Sequence, residues 1–250
     1  MAFKKRESDK KRIHAYVATP AYNGNVITDY AISIAESIQF ATLHGIQTTA
    51  AVMGNGAFIE LARNTFLQLF LQTDCTHLFF IDADLRWQPK AYAGLLTSGH
   101  PICAGIYPKR QDPEEYPCHW MNNPDGTLMI DNGWIMMDRV PTGFLCIERR
   151  IIEEMVADAK VIRCKTHIGE TQPYVFETYV NENADFVGED FAFCAKYVAK
   201  YGKGIHVYPD LDFTHDKRWS GNLHNYLTRM AETAEKVEAS APSAETSVAA

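Results

Sequence analysis

The sequence predicts an α/β fold, and three observations point to it. Between Ile13 and Tyr208, short apolar runs ending in Asp, Gly or Pro alternate with longer stretches whose apolar residues recur at helical spacing. One of the runs, His77 to Ile81 (HLFFI), is apolar on both of its alternating sides, as a strand covered on both faces of a sheet requires. With 250 residues, of which 46% are hydrophobic, the chain can bury one full core.

Taken in order, Ile13 to Ala18 alternates into a first strand, and Thr19-Pro20-Ala21-Tyr22-Asn23-Gly24 is a turn-rich loop at its carboxyl end. Tyr22 either stacks on a base there or packs the loop down. Asp29 to Leu43 carries Ile32, Ala35, Ile38, Phe40 and Leu43 at helical spacing and stops at Gly45, a left-handed cap. Gln47 to Met53 is a second strand. It opens onto Gly54-Asn55-Gly56, whose glycines let backbone approach a ligand closely. Ala57 to Gln72 is an apolar helix interrupted by Glu60, Arg63 and Asn64. Arg63 either grips a diphosphate or nucleobase carbonyl or lies on the polar stripe of that helix.

The strand His77 to Ile81 runs into Asp82-Ala83-Asp84. Side chains two apart in an extended chain project to the same side, so both carboxylates reach toward one point. Such a pair suits a hard divalent cation that keeps positions open for phosphate oxygens. The alternative is a solvated acidic turn. Lys90 to Thr97 is a helix, and Ile102 to Tyr107 a strand leading into Pro108-Lys109-Arg110, cations placed for phosphate or for solvent. Residues 111 to 142 break the alternation. Asp125-Gly126 and Asn132-Gly133 are turn dipeptides, with Leu128 to Ile130 and Trp134 to Met137 flanking the second as the strands of a small β-ribbon insertion. Gly143 to Glu148 is a further strand and Arg149 to Asp158 an amphipathic helix.

Phe186-Val187-Gly188-Glu189-Asp190 opens a helix that lasts to Tyr201 and is capped by Gly202. Acids in a first turn complement the helix dipole, which is also a way to keep a carboxylate ionised. Ile205 to Tyr208 is a strand, His215 follows it within PDLDFTHDKR, and a helix lies in the later part of Trp219 to Val237. Ala239 to Ala250, dominated by Ala and Ser, reads as a disordered tail. At the other end residues 1 to 12 read as a disordered basic arm. Residues 4 to 12 hold six basic and two acidic side chains, +4 locally, which leaves open a dock on the phosphates of an anionic membrane or nucleic acid.

The net charge of -7 argues against a surface that binds nucleic acid throughout. The 6 Cys are scattered without a CxxC pair and read as reduced thiols, neither a disulfide frame nor a zinc site. No apolar run approaches the roughly 18 to 20 residues of a membrane span, so no transmembrane segment and a cytoplasmic location are expected.

The order of TPAYNG, the ARN of Ala62-Arg63-Asn64, an apolar strand ending in DAD, GFLCIERR, GED at a helix start and a late His resembles the GT-A class of nucleotide-sugar-dependent glycosyltransferases, in the neighbourhood of family 2. The match spans roughly residues 13 to 222. The resemblance implies a mixed, mostly parallel twisted sheet with helices on both faces. It divides residues 13 to 238 into a nucleotide-binding half, 13 to 110, and an acceptor half, 111 to 238. It further implies that Thr19, Pro20, Tyr22 and Arg63 line the nucleotide pocket, that Asp82 touches ribose or donor sugar, and that Asp84 and His215, with Asp82, hold Mn²⁺ or Mg²⁺. Lys109 would contact phosphate, while Lys217 and Arg218 do not match the family's substrate loop clearly. Asp190, or Glu189, would be the base that deprotonates a hydroxyl acceptor on a glycan, a lipid-linked glycan, a protein or a hydroxylated DNA base. Two other classes fit the same features: a nucleotidyltransferase, which would want a Gly-rich basic loop after strand one, and a non-catalytic module that binds a nucleotide sugar or glycan.

Overall fold

The computed structural model describes residues 12–54, 58–166 and 168–240. The basic arm up to residue 11, the Asn55-Gly56 part of the glycine turn and the tail from residue 241 lie outside the described residues. Along the chain come β1 (His14–Ala21), α1 (Thr28–Leu43), β2 (Gln47–Gly54), α2 (Ile59–Leu71), β3 (His77–Ile81), β4 (Leu85–Trp87), α3 (Pro89–Thr97) and β5 (Ile102–Ala104). They are followed by β6 (His119–Trp120), β7 (Ile130–Asp131), β8 (Trp134–Arg139), β9 (Phe144–Glu148), α4 (Arg149–Ala157), β10 (Val161–Thr166) and β11 (Gly169–Pro173). The last are β12 (Tyr179–Val180), β13 (Phe186–Val187), α5 (Glu189–Tyr201), β14 (Ile205–Val207), β15 (Asp212–His215), β16 (Trp219–Asn222) and α6 (Leu223–Ser240).

The main sheet runs β2-β1-β3-β9-β5-β14-β8-β6, with β7 also paired to β8. Strands β1, β2 and β3 are mutually parallel, as are β5 and β14, while β9 and β8 run against the rest. This is the mixed, mostly parallel sheet expected. Strand β3 shows why the helices cover both faces. Leu78 and Phe80 point into a cluster with Phe66 and Phe70 of α2, Ile151 of α4 and Phe193 of α5. Phe79 and Ile81 point the other way, onto Tyr30 and Ala41 of α1 and Tyr92 and Leu95 of α3. All four strand residues are fully buried, so a polar substitution at any of them would strand a group with no partner.

Several local expectations are revised. The ribbon of residues 111 to 142 forms its hairpin, β7 on β8, and β8 also pairs antiparallel with β14, so the insertion extends the main sheet and contributes buried Ile135 and Met137. The strand expected to reach Tyr107 leaves the ladder at Ala104. There the Gly105 backbone passes Phe213 so closely that a Cβ would lie 2.6 Å from its ring. A Cβ on Gly54 would lie 2.7 Å from the backbone of Gly24, so this glycine seats the first loop on the end of β2. Helix α6 runs on through Ser240, two residues into the stretch expected as tail. The hairpins β10-β11 and β12-β13 have no counterpart among the strands expected from sequence.

The three-stranded sheet β16-β15-β4 matters most for function. Its register sets His215 opposite Leu85, and the Asp216 amide donates to the Asp84 carbonyl at 2.8 Å. A residue near position 215 is thereby fixed beside one near position 84. The parallel strands β1 and β3 both end at the same sheet edge, where α2 and the first turn of α5 also arrive.

Candidate active site

A cleft of about 710 Å³ opens at that edge, the crevice beyond the carboxyl ends of strands where α/β sheets take ligands. Pro20, Tyr22, Arg63, Asp82, Asp84, Glu189 and Asp190 line it, so most of the residues singled out from sequence do meet in one place. Tyr22 is 78% exposed, a free ring face at the rim.

The pair Asp82 and Asp84 does not sit on an extended chain. Residues 82 to 84 form a turn between β3 and β4, with the Leu85 amide directed back at the Asp82 carbonyl. The turn sends the carboxylates to different partners. Asp82 accepts hydrogen bonds from Arg63 Nη2 at 3.2 Å and from the Tyr107 hydroxyl at 2.9 Å. Burial, with the charge of Asp82 beside it, pushes the Tyr107 phenol well above its usual pKa, so it remains a donor. Arg63 is only 4% exposed, refuting the polar-stripe reading. Its Nε donates to Glu189 at 3.1 Å and its guanidinium lies 5.2 Å over the Phe80 ring. Gly143 closes this corner, since a Cβ there would collide with Asp82 and Tyr107. Asn64 next to Arg63 has a structural role: its amide clamps the backbone of Val175 and Phe176.

Asp84 has quite different company. Its carboxylate lies 3.6 Å from His215 Nε2 and forms an ion pair with Arg110. The imidazole donates from Nδ1 to the Pro108 carbonyl at 2.8 Å and receives Arg110 Nε on Nε2 at 2.9 Å. Those two bonds select the neutral tautomer whose Nε2 lone pair accepts from Arg110, with the Asp84 carboxylate beside it. Burial also lowers the His215 pKa; the Pro108 bond opposes that and Arg110 reinforces it.

A divalent cation can be tested against this donor set. One carboxylate oxygen and one imidazole lone pair are both directed at a cation, the Arg110 guanidinium, which bridges them. Mixed oxygen and nitrogen donors suit Mn²⁺ better than Mg²⁺. The fit therefore holds for Asp84 and His215. Asp82 does not join them, because its oxygens are engaged by Arg63 and Tyr107. Among the described residues, the group of three metal-ligating side chains within 4.8 Å is His14, Asp74 and Cys75, at the opposite edge of the sheet.

Asp190 keeps a free oxygen. One accepts the Phe191 amide at 2.7 Å, and its pKa is pushed up to about 6 by burial first and by the neighbouring Glu189 second. The helix start thus fails to keep this acid strongly ionised, contrary to the dipole expectation. Burial outweighs the dipole here.

Four residues considered from the sequence, Thr19, Lys109, Lys217 and Arg218, fall elsewhere. Thr19 is fully buried and its hydroxyl bonds that of Tyr30, facing away from the cleft. Lys109 pairs with Glu115 outside the cleft lining, and the next residue, Arg110, takes the inward place. Lys217 is in a tight turn with φ of 62°, and Arg218 points at Asp112 and the Trp219 ring. Tyr107, Thr142 and Gly143 were missed. Tyr107 directly precedes the Pro108-Lys109-Arg110 exit, which was the available signal; Thr142 gave none. Its hydroxyl and Arg63 Nη1 are both buried without a hydrogen-bond partner among the described residues.

No protein-family model matches the sequence, and no curated protein matches it. Among solved structures the chain is similar to UDP-glucose pyrophosphorylase complexed with UDP-glucose, at 9% identity over 90% of this chain and 99% of that one, TM-score 0.46. It is also similar to GalNAc-T7 with UDP, GalNAc and Mn²⁺, at 10% identity over 83% of this chain and 44% of that one, TM-score 0.44. A third is the inositol-1-phosphate CTP transferase from T. maritima, at 8% identity over 82% and 89%, TM-score 0.41. At such identities the similarity concerns the path of the chain alone.

Proposed function

We infer that this chain is a glycosyltransferase that moves a sugar from a nucleoside-diphosphate sugar to a hydroxyl acceptor, with inversion at the anomeric carbon. The observation that carries this reading is one cleft with two unlike ends: Asp84 and Arg110, with the His215 imidazole behind them, and a half-buried carboxylate with a pKa of about 6. The first end suits a diphosphate. The second suits removal of a proton near neutral pH.

Pro20 and the exposed ring of Tyr22 would receive the nucleoside, the ring stacking on the base. Asp82, held rigid by Arg63 and Tyr107, would accept hydrogen bonds from hydroxyls of ribose or sugar. Arg63 Nη1 and the Thr142 hydroxyl are open donors nearby. Asp84 and His215 would hold Mn²⁺ or Mg²⁺, which supplies positive charge for the leaving diphosphate. As the acceptor oxygen bonds to the anomeric carbon, the bond from that carbon to the β-phosphate oxygen breaks, and the hydroxyl proton passes to Asp190. Glu189 is poorly suited to that task because it is committed to an ion pair with Arg63, whereas the Asp190 oxygen that is engaged accepts only a backbone amide. A glycan or lipid-linked glycan is the favoured acceptor class, with a protein side chain or hydroxylated DNA base behind it. Among the described residues no helix is long and apolar enough to cross a membrane.

The test is incubation with a panel of nucleotide sugars and Mn²⁺. Metal-dependent release of nucleoside diphosphate is the expected result. Release of pyrophosphate from a nucleoside triphosphate and a sugar phosphate would make the enzyme a nucleotidyltransferase, and saturable binding without release would make it a binding module.

A further inference from the structure

Arg110 stands where the metal would. Its guanidinium bridges Asp84 and His215, touching both groups that the proposed reading assigns to a divalent cation. It reaches them from the segment that also supplies the Pro108 carbonyl, so one short stretch both fixes the His215 tautomer and caps its free nitrogen. Unlike Arg63, Arg110 is about half exposed, at 49%, with no buried partner on its outer side. Among the described residues its side chain pairs with Asp84 and His215.

Resting on the glycosyltransferase reading, we propose that Arg110 is a tethered cation that holds the metal position in the empty enzyme and exchanges with the ion when a diphosphate arrives. Two cations cannot share the space between Asp84 and His215. A bare divalent ion must therefore displace the guanidinium with no compensating anion for it to meet. A diphosphate supplies that anion: the ion takes Asp84 and His215, and Arg110 turns outward by its own side chain to the phosphate oxygens, for which its planar fork is well matched. Metal and diphosphate then bind with positive coupling, and free metal is held only weakly. No bond is made or broken in the exchange.

The experiment is Mn²⁺ titration of the whole chain, followed by the paramagnetic resonance signal of free Mn²⁺, first without nucleotide. Arg110→Gln should bind Mn²⁺ about tenfold or more tightly than wild type, because it removes a competitor tethered at an effective concentration in the millimolar range. Lys109→Gln removes the same charge one residue away and should leave the affinity within about twofold. With Mn²⁺ saturating, calorimetry with inorganic pyrophosphate, a diphosphate that does not depend on the base, should show the opposite order, Arg110→Gln binding it more weakly than wild type. His215→Ala added to Arg110→Gln should abolish the gain. Equal Mn²⁺ affinity in wild type and Arg110→Gln, or an equal gain in Lys109→Gln, overturns the exchange and leaves the metal site standing. Tighter binding of both Mn²⁺ and pyrophosphate by Arg110→Gln overturns the turn toward phosphate. Absence of Mn²⁺ binding from every variant, with or without pyrophosphate, overturns the metal reading together with the exchange.

Discussion

The two arginines of the cleft, Arg63 and Arg110, do opposite work on the same kind of partner. Arg63 is buried in α2 and ties Asp82 and Glu189 into one closed network. Arg110 is half exposed and bridges Asp84 to His215. Each acid pair of the sequence, Asp82 with Asp84 and Glu189 with Asp190, is thereby split. One member of each pair is locked by Arg63, and the other is left to a ligand. In the structure one member of each pair is tied to Arg63 as a frame, and under the proposed function the other, working member, Asp84 or Asp190, carries the metal or the proton. The frame is costly to disturb, since removing one partner of a buried ion pair leaves the other charge unpaired.

The sharpest way to break this division is to compare Asp190 with Glu189. Asp190→Asn keeps the shape and removes the proton acceptor, so sugar transfer should fall by roughly 10² to 10⁴-fold with donor affinity close to wild type. Glu189→Gln should instead lower the melting temperature and leave the rate within about tenfold, since it disturbs the frame. Product analysis and calorimetry on the same preparations read both quantities. The wild-type pH profile adds a check. The base must be ionised, so kcat/KM should fall as pH drops through about 6, and in Glu189→Gln that limb should move to lower pH because a neighbouring negative charge is gone. An unmoved limb would separate the titrating group from Asp190.

The same contrast applies to the first pair. Asp82→Asn leaves Arg63 and Tyr107 facing a weaker acceptor and should cost about 2 to 4 kcal/mol of stability, toward the low end of broken buried pairs because Asp82 is partly open to the cleft. Its Mn²⁺ affinity should be near wild type. Asp84→Asn should fold as well as wild type and lose Mn²⁺ affinity by at least 10 to 100-fold, the range typical even of disturbed outer partners of a metal. Thermal melts and Mn²⁺ titrations of the two variants should therefore cross. Equal metal loss in both would return Asp82 to the metal's own shell and dissolve the distinction between frame and working groups.

How much of this was legible follows from range. Strand β3 was readable because Leu78, Phe79, Phe80 and Ile81 have to be apolar on both faces, and α5 because Gly202 marks its end with a φ of 62°. The members of the cleft were legible because residues at the carboxyl ends of parallel strands converge. Their partners were not. Which way Asp82 and Asp84 point is decided by a turn that follows β3, and by Arg63 and Tyr107, 19 and 25 residues away. That His215 meets Asp84 was expected from resemblance, but the cause is the antiparallel register of β15 on β4. Thr19 and Lys109 show the complementary failure. Thr19 stands at the carboxyl end of β1 and Lys109 in the loop after β5, and a single residue of phase sends Thr19 to Tyr30 and Lys109 to Glu115 while their neighbours Pro20 and Arg110 face the cleft.

The smallest expected effect concerns Asp190 again, now as a cost to folding. Its folded pKa, about 6, lies above its ordinary value of 3.8. The native state thus holds the proton more tightly than the unfolded chain does. By linkage, wild-type stability contributed by this group is greatest below the ordinary value, declines as pH rises from there through about 6, and is level above that. Asp190→Asn cannot titrate. Its stability relative to wild type should therefore improve by about 1 to 3 kcal/mol between about pH 4 and pH 8, the upper figure being two pKa units undiscounted for solvent. Denaturant titrations of both proteins at the two pH values give the difference directly, without any substrate. A working carboxylate held at the edge of its ionisation predicts that gain, whereas an acid placed only to complement the helix dipole predicts a loss at the higher pH, when the wild-type charge is fully present. A loss would move Asp190 into the same class as Glu189 and leave the cleft with no carboxylate set aside for a proton.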